Sequence, residues 1–215
     1  MASRWFGFIL LLAAPLSLRA QDGAPQLRLE MPQRIVAGVD APSVSLSDVL
    51  TEGHRRELLN SGFSAALHCR VELWKKGLFF FGLESVVEWD VIVDYVPATK
   101  VYQVRRVQGS RLEDLGEVRS IEEAEQIVDR PYRVPMPPRS RGKRYYYSFS
   151  VDISTLQLSD LDAWQRWVRG EAEPAVQGKK NPATAIQRGL GSLLSRVLGG
   201  ETQSYEKRSG PFSAG

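Results

Sequence analysis

The sequence has 215 residues, of which 43% are hydrophobic and 25% are charged, a composition typical of a globular protein and not of a disordered one. The formal net charge is +3, but residues 1–20 contribute Arg4 and Arg19 and no acidic side chain, so the remainder carries a net charge of +1. This near-balance gives no support for a nucleic-acid partner, and we expect none.

Residues 1–20 have the layout of a secretory signal peptide. Arg4 precedes an apolar run from Trp5 to Leu18, and Ala20 supplies a small residue at which cleavage can occur. The run is too short to span a bilayer comfortably, so we predict cleavage after Ala20 and a periplasmic or secreted protein. An uncleaved N-terminal membrane anchor is the alternative.

The next segment predicts short elements. Leu27, Leu29 and Met31 alternate along the chain, which indicates an edge strand, and residues 35–46 favour one or two further short strands. Thr51–Asn60 has the pattern of a short helix. His54 and Glu57 in this helix could supply two metal ligands, but nothing nearby supplies the rest, so we predict no metal site and no cofactor.

A strand hairpin is predicted at the centre of the chain. Side chains at odd positions from residue 63 to 73 are apolar, and a second strand-like run follows from Leu78 to Val96. A three-residue loop, Lys75–Gly77, keeps one face apolar and sets Cys69 opposite Leu83, whereas a two-residue turn would bring carboxylates onto that face.

This register makes further predictions. It places His68 opposite Glu84, Leu73 opposite Phe79, and Trp74 beside Phe80. Because neighbouring residues on a strand point to opposite faces, Cys69 and His68 are not expected to form a catalytic pair. Cys69 is the sole cysteine, so we expect neither an internal disulfide nor a disulfide-linked partner.

A third strand is predicted after a turn at Pro97–Lys100. The turn length pairs Tyr95 with Tyr102 and Val93 with Val104, and it brings Asp94 near Arg105.

Residues 108–118 are predicted to form a loop. Ser120 and Glu123 then have the spacing of a capping box at the start of an amphipathic helix, which ends before Pro131. An extended loop at Pro131–Arg141 leads into a last strand, Lys143–Thr155, in which Tyr145, Tyr147, Phe149, Val151 and Ile153 share one face.

The remaining residues predict helices and a tail. Ser159 is predicted to cap a helix that carries Trp164 and Trp167, and residues 171–182 are predicted to be a linker. Residues 183–198 follow as an amphipathic helix and residues 199–215 as a disordered tail. The predicted fold is mainly β (β-rich α+β): an antiparallel meander or sandwich-like sheet at residues 21–170, two or three short helices, and a separate C-terminal helix.

A set of aromatic, polar and turn residues in this order resembles the bacterial envelope family named domain of unknown function 4390. The resemblance covers about Val44 to Arg169 and rests on Arg70–Lys76, Trp89-Asp90, Tyr95 with Thr99 and Tyr102, Ser120 with Glu122–Ala124, Tyr145-Tyr146, and Leu158–Leu161 before Trp164. It implies no known activity and no catalytic residues. Members of the family are encoded beside sensor kinases of the nitrogen-regulation type, which implies a signalling or envelope role by association.

Three surfaces are candidates for function. The polar hairpin face could do acid and base work in a hydrolase-like enzyme, although such rows are more often a solvated sheet face; its residues are His68, Arg70, Glu72, Glu84, Glu88 and Asp90. A basic stretch beside Tyr145–Tyr147 could bind an anionic partner such as lipid headgroups or a glycan; it comprises Arg139, Arg141, Lys143 and Arg144. The apolar stripe of the C-terminal helix could dock on the sheet, a partner or a membrane; it includes Ile186, Leu190, Leu193 and Leu194.

The sequence therefore favours an exported envelope protein that acts as a non-enzymatic binding or accessory module. The expected partner is another envelope protein or a membrane surface. A hydrolase-like enzyme is the alternative.

Overall fold

The described part of the protein consists mainly of antiparallel strands. The computed structural model describes residues 25–50, 53–54, 64–156 and 203–215. Its strands are β1 (Gln26–Glu30), β2 (Ser43–Ser47), β3 (Ser64–Lys76), β4 (Phe81–Val96), β5 (Val101–Gln108), β6 (Arg111–Val118), β7 (Tyr132–Arg133), β8 (Arg144–Leu156), β9 (Gln203–Arg208) and β10 (Phe212–Ser213). Helix α1 (Ile121–Val128) lies between β6 and β7. The mainly-β, antiparallel fold predicted from the sequence is confirmed.

The strands form two sheets. Seven strands make a large sheet in the order β10–β8–β3–β4–β5–β6, and β9 pairs with the same side of β8 as β10. The strands β1, β2 and β7 make a small sheet in which β2 is central. The edge strand predicted around Leu27 and Leu29 is β1.

One hydrophobic core lies between the two sheets and α1. The odd-numbered side chains of residues 65–73 in β3 and 145–153 in β8 are fully buried in it, and Val44 and Leu46 of β2 and Ile121, Ala124 and Ile127 of α1 are buried beside them. Each large apolar side chain buried in this way contributes about 1.5–3 kcal/mol. The alternation read from the sequence therefore identifies the core face correctly.

The β3–β4 hairpin has the predicted faces up to a bulge at Glu84, but its register differs from the prediction. Cys69 lies opposite Trp89 and not Leu83, and His68 lies opposite Asp90 and not Glu84. The difference is six residues, an even number, so the odd-numbered side chains of β4 from residue 85 to 93 stay on the apolar face. The register prediction was wrong because a test based on which face is apolar cannot distinguish registers that differ by an even number.

A β-bulge also changes the pairing near the end of the hairpin. Leu73 pairs with Ser85 and Trp74 pairs with Leu83, so Glu84 is the extra residue of β4. Beyond the bulge, odd-numbered side chains of β4 point to the same side as Trp74, so Leu83 lies on the polar face and the prediction that it shares the apolar face with Cys69 was wrong.

The predicted turn between β4 and β5 is confirmed. Tyr95 lies opposite Tyr102 with ring centroids 5.0 Å apart. Asp94 forms an ion pair with Arg105, and both side chains are more than four-fifths buried.

The segment predicted to be a loop at residues 108–118 is mostly the strand β6. Val104 pairs with Gly116 and Arg105 pairs with Asp114, which leaves Leu115 as a bulge. Gly116 has a φ of 141°, in the region that favours glycine. Because the bulge breaks the period of two, the strand is hard to recognise from its sequence.

The tail predicted to be disordered is ordered from residue 203. Gly215 donates its N–H to the carbonyl of Ile35 at 2.8 Å and accepts a hydrogen bond from the N–H of Ala37 at 3.1 Å. Ala214 is 1% exposed. Backbone pairing to β8 and to residues 35–37 holds this polar segment in place, and composition does not reveal such pairing.

The capping box of α1 is confirmed. The Ser120 hydroxyl accepts a hydrogen bond from the N–H of Glu123 at 3.2 Å, and the Glu123 carboxylate accepts one from the N–H of Ser120 at 3.3 Å. The helix ends at Val128, before Pro131, and buries its predicted apolar stripe.

Several predicted elements lie outside the described residues. They are the signal peptide (residues 1–20), most of the helix at Thr51–Asn60, the helix capped by Ser159, the linker at 171–182 and the amphipathic helix at 183–198. Gly53 and His54 are helical, as predicted. Among the described residues, no helix has the length and apolar character needed to cross a bilayer.

Candidate functional site

The loop between β3 and β4 carries three large apolar side chains in solvent. Leu78 is 93% exposed, Phe79 91% and Phe80 75%. The sequence predicted Phe79 to be paired with Leu73 in the core, and the structure corrects this. We call Leu78, Phe79 and Phe80 the apolar tip.

The hairpin that carries the apolar tip projects from the large sheet. The β3–β8 ladder ends at the pair Lys75–Tyr145, and β5 first pairs with β4 at Asp90. Residues 81–89 of β4 therefore have a strand neighbour on one side only. The apolar tip extends past both flanking strands.

A backbone hydrogen bond closes the tip loop. The N–H of Gly77 donates to the carbonyl of Phe80 at 2.7 Å. A Cβ atom at position 77 would lie 3.1 Å from that carbonyl oxygen, so a glycine suits this position. The closed loop holds the three apolar side chains at the end of a defined turn.

An aromatic cluster lies below the tip on the polar face of the sheet. The rings of Trp74 and Tyr146 are stacked, with centroids 6.0 Å apart and planes 2° apart, and Phe81 packs edge-on against Tyr146 at 4.9 Å. The indole N–H of Trp74 donates to the Glu72 carboxylate at 2.8 Å. All three rings are partly exposed, and Leu83 beside them is 47% exposed.

The predicted basic stretch lies next to this hairpin. The ammonium group of Lys75 donates to the Ser140 hydroxyl at 3.0 Å, and the N–H of Arg139 donates to the Glu84 carboxylate at 3.3 Å. Tyr145 is buried, and its hydroxyl donates to the Ser140 carbonyl at 3.2 Å. These contacts fix residues 139–144 against the base of the apolar tip.

The side chains around the tip are mostly cationic. We call this set the basic collar; its members are Lys75, Lys76, Arg139, Arg141, Lys143 and Arg144. All except Lys75 are exposed. The acidic residue Glu84 lies beside this set: its carboxylate is 3.4 Å from the Lys75 ammonium, and its side chain is 11% exposed. The four predicted arginine and lysine side chains form no ion pair with any described residue.

The polar face of the sheet has a paired histidine at its centre. Nδ1 of His68 lies 2.8 Å from Oδ1 of Asp90, and Asp90 is 3% exposed. Burial alone would lower the pKa of His68, but the hydrogen bond to Asp90 and the charges of Asp90, Glu88 and Asp152 outweigh it, so the pKa is raised. The imidazole is therefore held in an electrostatic environment that favours its protonated form.

Toward the tip, an arginine joins two glutamates on the same face. Arg70 lies 2.6 Å from Glu72 and 2.5 Å from Glu88. The expectation of a solvated face is only partly correct: these side chains are partly exposed, whereas Ala66 and Ile92 on the same face are at most 2% exposed.

The residues proposed for acid and base work do not converge. His68 binds Asp90, Glu88 binds Arg70, and Glu84 binds Lys75, each in a separate contact. Cys69 is fully buried on the opposite face, where burial raises the pKa of its thiol, so the prediction that it cannot pair with His68 is confirmed.

Two clefts among the described residues lie away from this face. One of about 250 Å³ is lined by Trp89, Arg106, Tyr132 and other residues between the sheets. The other, of about 330 Å³, lies between residues 31–35 and 210–215. Neither is lined by His68, Glu84 or Glu88. No group of three or more possible metal ligands occurs in the described ranges.

Sequence reasoning found the basic stretch but missed the apolar tip beside it. The signal for the tip is a run of three large apolar residues between Gly77 and Gly82, two residues typical of turns. The other predicted binding residues, Ile186, Leu190, Leu193 and Leu194, lie outside the described residues. The site therefore combines a predicted component with an unpredicted one.

In comparisons with known proteins, no family model matches the chain, and no match was found among the curated proteins or the solved structures.

Proposed function

We propose that the protein is an exported, non-enzymatic binding module of the bacterial envelope that acts through the apolar tip and the basic collar. The observation that carries the proposal is the exposure of Leu78, Phe79 and Phe80 on a closed turn beside exposed cationic side chains. Contiguous exposed apolar side chains of this kind mark interaction sites. Export is supported by the pattern of residues 1–20, and an envelope role is in keeping with the resemblance to domain of unknown function 4390.

Site-specific crosslinking tests this function. A photoreactive amino acid replaces Phe79 in one variant and Leu112 in a control, because Leu112 is a half-exposed apolar residue on β6, away from the tip. In intact cells we expect a defined product, crosslinked to a protein or to a lipid, from position 79 and none from position 112. Identical products from both positions, or none from either, would contradict the proposal.

The export component has its own measurement. The intact mass of the protein recovered from cells is expected to correspond to a chain that begins at Gln21. A mass that includes residues 1–20 would favour the N-terminal anchor.

A hydrolase-like enzyme is the second candidate, and the His68–Asp90 pair is the observation in its favour. A carboxylate bound to Nδ1 orients an imidazole as a general base requires. However, the one side chain hydrogen-bonded to the His68 ring among the described residues is Asp90, and Ser204 binds Asp152 instead. Hydrolysis of an ester or amide panel that disappears in His68→Gln would establish this alternative.

A further inference from the structure

We infer that the partner of this surface is a bilayer that contains anionic phospholipids, into which the apolar tip inserts while the basic collar contacts the headgroups. The inference rests on the proposed function and names the partner. It is drawn from the combination of apolar and cationic side chains at one end of the hairpin.

The apolar tip has the geometry for shallow insertion. Its three large side chains are consecutive and lie at a turn that projects beyond the flanking strands, so they can leave water together. The hydrogen bond from Gly77 to Phe80 satisfies part of the loop backbone, which reduces the cost of leaving water. The remaining backbone groups stay within reach of headgroup water at interfacial depth.

The basic collar has the charge that an anionic surface selects. Lys76, Arg139, Arg141, Lys143 and Arg144 are exposed, and Glu84, which accepts a hydrogen bond from the Arg139 N–H, is paired with Lys75. Lysine and arginine beside an inserted apolar segment add electrostatic attraction to acidic lipids.

The aromatic cluster suits the boundary between these two regions. Trp74 and Tyr146 stack beside the tip and remain partly exposed, and Trp74 keeps a polar contact with Glu72. Tryptophan and tyrosine favour the headgroup region because each has an apolar ring and a polar group. The tip projects beyond both flanking strands, so its three side chains can enter a flat bilayer surface together.

Vesicle flotation tests the inference on the chain from Gln21 onward, which retains every described residue. The probes are vesicles of phosphatidylcholine alone and vesicles of phosphatidylcholine mixed with phosphatidylglycerol. We expect binding to the mixed vesicles, weakening as salt is added, and little binding to phosphatidylcholine alone.

Matched variants assign the binding to the two parts of the site. Phe79→Ser with Phe80→Ser is expected to lower the partition coefficient roughly tenfold or more, and Leu112→Ser is expected to leave it unchanged. Arg141→Glu with Lys143→Glu is expected to abolish the preference for phosphatidylglycerol. Its control is Arg28→Glu with Lys100→Glu, which reverses two exposed charges elsewhere. Circular dichroism and the melting temperature confirm that each variant is folded.

A fluorescent label reports insertion directly. Cys69 is the sole cysteine and is fully buried, so a Phe79→Cys variant can be labelled at the tip with an environment-sensitive dye. We expect a blue shift of its emission on the mixed vesicles and no shift for dye on Leu112→Cys.

The outcomes separate the partner from the function. Equal binding to both vesicle types, unchanged binding of the tip variant, or no shift at position 79 would overturn the lipid inference. Absence of vesicle binding together with a protein crosslinked at Phe79 would overturn it and leave the proposed function standing. Absence of both would overturn both.

Discussion

Nδ1 of His68 lies 2.8 Å from Oδ1 of Asp90 across the central pair of strands, and Asp90 is almost completely buried. The sequence placed Asp90 on a solvated face, where its loss would be nearly neutral. The contact instead makes Asp90 the hydrogen-bond partner of a partly buried imidazole. Removing it leaves that imidazole without its partner, which is costly.

We therefore expect Asp90→Asn to destabilise the protein by about 1–3 kcal/mol near pH 6. The folded-state pKa of His68 is raised, so the stabilisation by its protonated form is complete below the unfolded-state pKa of about 6.5 and is lost as the pH rises through the higher folded-state pKa. The destabilisation should thus shrink as the pH rises. Urea unfolding at a series of pH values measures it. In a His68→Gln background the pH-dependent part should vanish; if it persists there, another group is responsible.

Val91→Asp is expected to prevent soluble folding. Val91 is 5% exposed on the core face, and an unpaired carboxylate there costs about 3 kcal/mol or more. Leu112→Asp is the control, because Leu112 is 47% exposed and its replacement should change the free energy of unfolding by about 0.5 kcal/mol or less. Soluble yield and melting temperature are the measurements. Equal tolerance of the two substitutions would show that the assignment of faces is reversed.

The last residues are expected to be essential for stability. Ala214 is 1% exposed whereas Ser213 is exposed, so Ala214→Asp should be strongly destabilising and Ser213→Asp nearly neutral. Thermal unfolding of the pair gives the comparison. A similar melting temperature for both would mean that β10 does not pack as described.

Ser120→Ala is expected to lower the free energy of unfolding by about 1 kcal/mol, since its hydroxyl accepts the N–H of Glu123 at the start of α1. Gln126→Ala, at an exposed position within the same helix, should have little effect. Chemical denaturation of both variants provides the measurement. An equal loss in the two variants would mean that the capping hydrogen bond does not account for the effect of Ser120→Ala.

The features that the sequence predicted correctly are those set by local pattern. Alternation identified the core faces of β3 and β8, and the capping box located α1. The register of the hairpin could not be obtained in the same way, because shifting Cys69 from Leu83 to Trp89 preserves both faces.

Only the basic part of the site was predicted, because the other part depends on the register and on contacts between distant residues. The basic stretch around Arg141 is visible as composition, but its position beside the apolar tip depends on long-range contacts such as Lys75 with Ser140. The tip itself was read as strand because Leu78, Phe79 and Phe80 have high strand propensity and look like core residues. In the observed register, the pairing of β3 with β4 ends at Lys76 and Phe81. Residues 78–80 therefore lie in the connecting loop, where no neighbouring strand covers them.

The order of strands along the chain has a consequence for biosynthesis. β8 is complete at Leu156, but β9 and β10, which pair with its outer side, come from residues 203–213. A nascent chain interrupted before them would present the unpaired amides and carbonyls of a long strand, a template for edge-to-edge aggregation. Termination between residues 157 and 202 should therefore yield inclusion bodies or rapid degradation and not a shortened, soluble product.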